Sequence, residues 1–321
     1  VSDASAFEEA RRFMGTGFRI EIRDPGLAPE RAAQLADGAF RRIGALERKL
    51  TSWRDDSLVG RINAAPAGTV FRLDPDTFHV LRTALDVSRR TNGAFDVTVW
   101  PLKRLWMEAK RSGELPTEYA LENALRRVGW RYILLDEKTR TLTVARPGVQ
   151  IDLGGIGKGY AVGRAARYLR SHGIRSALVE GGGNTQYVGA PPGGGFWRTG
   201  IAHPRKSGEI AAVLEVPADA SVSTSGDYED YFIRSNERFS HIFDPKTGRP
   251  VRTGVVSVTV VSHDATLADA LSKAPFVMGA AKGLEAAESC GATAVCLSEK
   301  GGAIALQSSN APAPRLSDIQ L

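Results

Sequence analysis

Apolar positions recur along this chain with two periods, and the switches between them predict its elements. From Pro29 to Leu50, the residues Ala32, Leu35, Ala36, Ala39, Phe40, Ile43, Leu46 and Leu50 return every three or four positions, the spacing of one face of a long helix. Just before it, Gly17 to Ile22 alternates polar and apolar, as a half-buried strand does. A second helix is predicted over Asp74 to Thr91. Asp74 can cap its free amides, Pro75 suits its first turn, and Asn92-Gly93 stops it. Helical spacing returns from about Thr117 to Val128, and "YILLDEKTRTLTVARPG" reads as two strands around a turn. The run "VQIDLGGIGKGYAVGRAARYLRSHGIRSALVEGGG" then reads as strand, glycine-rich turn, helix, strand.

The later chain is strand-rich, in "WRTGIAHP", "IAAVLEVP", "ASVSTSG", "SHIFDPKTGRPV", "VVSVTVV" and "ATAVCLSEKGGAIAL", with one helix carrying Asp269 before the last of these. Strands in blocks with helices laid against them predict an α+β fold of mixed or antiparallel sheets.

Composition narrows the class. With 321 residues, 42% apolar and 24% charged, the chain is globular, and fibrous or disordered readings are excluded. The net charge of +6 is spread over scattered pairs such as Arg11-Arg12 and Arg89-Arg90 rather than a nucleic-acid-binding arm. Such a balance still favours an anionic substrate. Cys290 and Cys296 have neither redox-pair nor zinc spacing and are expected to pack as small apolar groups. No run approaches the roughly 20 apolar residues of a membrane span. The first residue is Val1, so a removed or omitted leader is an expectation.

Chemistry concentrates in three stretches. Glycines 154, 155, 157 and 159 between a strand and a helix allow backbone amides to approach an anion, with Lys158 adding charge; the same pattern also serves a plain tight turn. The spacing is neither the dinucleotide fingerprint nor the nucleoside-triphosphate loop. "STSGDYEDYF" gathers Ser225, Gly226, Asp227 and Tyr228, and "SHIFDPKTG" places His241 before an Asp-Pro turn, either as a surface histidine or for proton transfer. In "DATLADALSKAPFVMG", Asp269 and Lys273 lie one helical turn apart, either as an ion pair or with Asp269 as ligand to a hard cation.

Taken in order, "MGTGFRIEI", "LTSWRDDSLVGRINAA", "GAFDVTVWPLKRLW", "IDLGGIGKGYAV", "ALVEGGGNTQYVG", "WRTGIAHP", "STSGDYEDYF", "SHIFDPKTGRPV" and "SVTVVSHDATLADALSKAPFVMG" resemble the motifs of the ApbE family of FAD:protein FMN transferases. The resemblance runs over 13–306, which leaves an N-terminal extension at 1–12 and a C-terminal tail at 307–321, and it implies an FAD site in a cleft between two lobes. It also implies magnesium-dependent splitting of FAD, attachment of FMN through a phosphodiester to a Thr or Ser of a partner protein, and release of AMP. It points to the cell envelope or periplasm, with the cytoplasm as alternative.

Carried over by position, the resemblance implies flavin or FAD contacts at Met14, Trp53, Ala94, Phe95, Asp96, Asp152, Lys158 and Ile242, to which Ser225, Gly226 and Asp227 are added. His241 is implied in phosphate contact or proton transfer. The metal is implied on the Gly155 carbonyl, the Asp269 carboxylate and a usual threonine at the position of Lys273. Lysine has no acceptor to offer a cation. Two outcomes follow: a weakened magnesium site on Asp269, Gly155 and phosphate oxygens, or an ammonium in the cation's place. Trp100, Gly163 and Asn184 also replace the usual glycine, aspartate and aspartate. These departures leave two alternatives to transfer: an FAD carrier or redox protein, and an FAD pyrophosphatase giving FMN and AMP.

Overall fold

The computed structural model describes residues 7–235, 237–309 and 315–320. Strands Phe7–Phe13 (β1) and Thr16–Ile22 (β2) form a hairpin that leads into Pro29–Leu50 (α1). Leu58–Ala64 (α2), Val70–Arg72 (β3), Pro75–Arg90 (α3), Trp100–Ser112 (α4), Glu118–Leu125 (α5), Ile133–Asp136 (β4) and Thr141–Val144 (β5) follow. Gly157–Ser171 (α6) precedes Ala177–Gly181 (β6), Asn184–Val188 (β7), Trp197–Ala202 (β8), Ile210–Val216 (β9) and Ser221–Gly226 (β10). Next come Tyr231–Arg234 (β11), Glu237–Ser240 (β12) and Val255–Ser262 (β13). Ala265–Leu271 (α7), Ala274–Met278 (α8), Ala280–Ser289 (α9), Thr293–Lys300 (β14), Ala303–Ser308 (β15) and Arg315–Ser317 (β16) complete the order.

The organising element is an eight-stranded sheet in the order β1-β2-β6-β7-β10-β13-β14-β15, with every neighbouring pair antiparallel. Its two faces bury different partners, because side chains alternate along each strand. Phe18, Ile20, Ala177, Val179, Val258, Val260, Ala294 and Cys296 face a core shared with α1, α6 and α7. Leu178, Tyr187, Val222, Val261, Val295 and Leu297 face the hairpin β8–β9, whose Trp197, Ile201, Ala212 and Leu214 close a second core. β13, buried along its whole length, is the strand that a sheet covered on both faces requires. The fold is the expected α+β arrangement, with antiparallel pairing in every strand ladder.

Several local expectations change. Residues 7–12, set apart as an extension, form most of edge strand β1, where half-buried Phe7, Glu9, Arg11 and Phe13 alternate with exposed neighbours. Residues 1–6, 310–314 and 321 of the expected extension and tail lie outside the described residues, whereas Arg315–Ser317 pairs with β9. The run before the glycine-rich turn is not a strand: it makes an isolated bridge from Gln150 to Val99 and a backbone bond from Asp152 N to the Val97 carbonyl. The helix carrying Asp269 breaks at Ser272, and Lys273 precedes α8. Both cysteines are free, and burial pushes the Cys296 thiol up to about 12.

Candidate functional site

The glycine-rich turn delivers the first amides of α6 to the end of α7. The Leu153 carbonyl accepts from Ile156 N at 3.2 Å and Gly157 N at 2.8 Å, closing the turn. At the third residue of the helix, Gly159 N donates to Asp269 Oδ2 at 2.8 Å. Asp269 is 0% exposed. Its Oδ1 accepts from the Lys273 ammonium, which also donates to the Asp269 carbonyl at 2.7 Å. Burial by itself pushes the Asp269 carboxyl up, but the ammonium charges of Lys273 and Lys158 and the Gly159 amide outweigh it and hold the group below its ordinary value. Burial also drives Lys273 below the usual lysine value, with Asp269 opposing and Lys158 adding to the shift.

Other groups converge here. A side chain on Gly155 would meet the Phe95 ring at 3.3 Å and the Lys273 stem at 3.7 Å, so these three are neighbours. The Lys158 stem runs over Gly182, beside Thr16, and its ammonium donates to the Gly154 carbonyl at 2.8 Å. Ser225 Oγ lies 2.7 Å from Ser272 Oγ, which donates to the Asp269 carbonyl at 2.8 Å, so Ser225 supports the acid from below.

His241 follows β12. Its backbone N and its Nδ1 both lie within 3.0 Å of the Asp230 carbonyl. A carbonyl only accepts, so Nδ1 carries the proton and Nε2 keeps its lone pair. His241 is exposed as a residue, but the protein packed around its ring desolvates the imidazole and holds it below its ordinary value; Asp230 opposes that shift, and Lys273 and Lys158 reinforce it.

A second cluster borders the first. Asp152 accepts from Ser52 Oγ at 2.8 Å and from Lys103 Nζ at 2.9 Å. Lys103 lies 5.5 Å from the ring centres of both Trp53 and Trp100, which meet edge to face at 4.8 Å. Trp53 is 59% exposed. A cavity of about 840 Å³ opens beside it, lined in part by Ser52, Trp53, Trp100, Arg104, Arg127 and Gln150. An exposed indole over an open cavity offers a stacking surface for a flat ring. Lys103 was not singled out in the sequence, because nothing local marks it; only the packing of α4 brings it to Asp152.

The remaining candidates sit differently. Asp96 is buried, and both its oxygens are occupied: Thr98 N and Oγ1 donate to one at 2.7 and 2.6 Å, and Trp130 N to the other at 2.9 Å. Burial pushes this carboxyl up, and those donors oppose the shift. Ala94 is buried beside Phe95. Met14 takes positive φ in the β1–β2 turn, and its amide donates to Glu47 of α1. Ile242 is buried in the main core. Gly226 lies under the Tyr228 ring, and Asp227 is held by a two-point ion pair with Arg205 at 2.8 and 2.9 Å. Asn184 Oδ1 is buried without a hydrogen-bond partner among the described residues, next to the Gly182 turn that Lys158 crosses.

This donor set does not fit a magnesium ion with Lys273 in place. Such an ion needs oxygen ligands at about 2.0–2.1 Å in octahedral array. The one carboxylate here has both oxygens engaged, and no group of three His, Cys, Asp or Glu side chains comes together among the described residues. Asp152→Ala is expected to weaken FAD binding by about 1–3 kcal/mol, since it frees Lys103 and Ser52 together. A flavin-fluorescence titration with unchanged affinity would leave Asp152 a loop anchor only.

Fold and site define an antiparallel α+β protein in which two lysines and a buried acid meet at the N-terminal turn of one helix. The sequence matches the ApbE family over residues 14–297, and the chain belongs to that family. It is 35% identical over 280 residues to the FAD:protein FMN transferase of Vibrio cholerae, covering 86% of this chain and 82% of that protein. Its fold is similar to the ApbE protein of Thermotoga maritima, with TM-score 0.84, 33% identity and coverage of 95% and 97%. The flavin transferase ApbE from Vibrio cholerae gives TM-score 0.82 at 30% identity, covering 95% of this chain and 98% of that one.

Proposed function

We propose that this chain is an FAD:protein FMN transferase, with the activity carried by residues 13–306. The observation that carries the reading is the convergence of Lys158, Lys273 and Asp269 at the N-terminus of α6, with the charges of both lysines reaching His241. A dinucleotide pyrophosphate carries charge that two ammonium groups beside a helix N-terminus are suited to hold. The acceptor hydroxyl oxygen attacks the phosphorus of the FMN half, the bond to the AMP phosphate breaks, and AMP leaves with the bridging oxygen. His241 Nε2, neutral near pH 7, takes the hydroxyl proton. Trp53 stacks on the flavin, and Asp152 fixes Lys103 beside it. Asp96 and Asp227 act at a distance by holding loops.

The acceptor is a partner protein presenting Thr or Ser, and the place of action is the cell envelope; both rest on the resemblance. No helix among the described residues is long and apolar enough to cross a membrane. The magnesium that the resemblance implies would require Lys273 to leave Asp269, so no step above is routed through it.

The test follows the products of FAD. Incubation with FAD and a Thr- or Ser-bearing acceptor should release one AMP per covalently attached flavin, read by chromatography and in-gel fluorescence. FMN and AMP both free in solution would mark a pyrophosphatase, and intact bound FAD a carrier. FAD neither bound nor cleaved would defeat the reading.

A further inference from the structure

We propose that the Lys273 ammonium is the resident cation of this site, so that the chain binds the phosphates of its dinucleotide without a divalent metal. The inference rests on the flavin-transfer reading for its ligand and on geometry for its cation. Lys273 does not turn into solvent: its side chain is 21% exposed, and its ammonium is seated on both the carboxylate and the main-chain carbonyl of Asp269. The seat is built from several sides. Gly159 N fixes the far carboxylate oxygen, Ser272 Oγ fixes the carbonyl, and Gly155 with Phe95 crowds the lysine stem.

A metal at Asp269 Oδ1 would occupy the volume that the ammonium fills. Expelling the lysine would not clear the site of its charge, because the stem keeps the ammonium near any ion bound there, and Lys158 adds a second positive charge to the same carboxyl. An ammonium carries three donors, so one remains beyond the two spent on Asp269, and directed at a phosphate oxygen it supplies the charge that a metal would otherwise bring.

Two measurements decide this, and the first does not depend on FAD. Electron paramagnetic resonance of added manganese should show no ion immobilised by the unaltered protein, with or without FAD. One ion bound by the unaltered protein and lost in Asp269→Asn would overturn the proposal. The second is FAD binding by flavin fluorescence. In chelator, the unaltered protein should keep its affinity within about twofold, while Lys273→Met should lose about tenfold or more, as expected for a charge-assisted bond to phosphate. Lys273→Thr should lose affinity in chelator and recover it with magnesium. An unaltered protein whose FAD affinity collapses in chelator, or a Lys273→Met variant that binds FAD normally, would equally refute it. Should FAD fail to bind under any condition, the functional reading falls, and the manganese measurement still decides the cation.

Discussion

Asp269→Ala should lower folding stability by about 3–5 kcal/mol, the scale of breaking a buried ion pair from one side. The carboxylate is wholly buried, and its removal strands the Lys273 ammonium inside the protein with Lys158 as its nearest charged company. The Gly159 amide loses its acceptor at the same time. Urea unfolding should show the midpoint moving sharply down. Asp269→Ala combined with Lys273→Met should recover much of the loss, because the pair is then removed together rather than halved. The sign with pH is fixed. The folded-state value of Asp269 lies below its ordinary 3.8, so its stabilisation is complete above the ordinary carboxylate range and is lost as pH falls through the depressed value. The alanine variant should lack that acid-side loss. An Asp269→Ala protein as stable as the parent at neutral pH would mean that Lys273 finds another partner or loses its proton.

Much of this could be read from the chain, and the failures have physical causes. α1 forms over the expected span because eight apolar residues hold helical spacing without a breaker. α3 starts where Asp74 caps Asp76 and Thr77 and stops where Asn92 and Gly93 take positive φ. Asp269 and Lys273 meet as i, i+4 residues do, even though the helix breaks between them. No expectation above covers α4, whose Pro101 lies in the first turn, where no amide partner is needed. With α4 unseen, the pairing of Lys103 with Asp152 was invisible. Asp96 and Asp227 illustrate a different limit. Their residue types suit a ligand, but the oxygens are taken by Trp130 and Arg205, distant in sequence. Sequence position does not reveal which partners the fold will bring.

Gly159→Ala should be the most damaging small substitution in the site, and Gly163→Ala, one turn along the same helix, should be harmless. A methyl on Gly159 would overlap the Ala265 carbonyl oxygen and lie 2.5 Å from the Asp269 Cβ, so α6 and α7 would have to part. Forced overpacking costs about 1–3 kcal/mol. The separation would also break the bond from Gly159 N to Asp269, and hydrogen bonds to charged groups contribute about 1.5–3 kcal/mol. At Gly163 the added methyl would stand 3.4 Å from the Ala265 Cβ, an ordinary contact. Alanine there should therefore gain the roughly 0.5–1 kcal/mol by which it exceeds glycine inside a helix. Thermal melts of the two variants beside the parent, with FAD titrations on each, provide the comparison. Gly159→Ala should melt lower and lose FAD affinity, and Gly163→Ala should melt at or above the parent with affinity unchanged. Equal behaviour of the two would show that the approach of α6 to α7 is not what holds Asp269 in place.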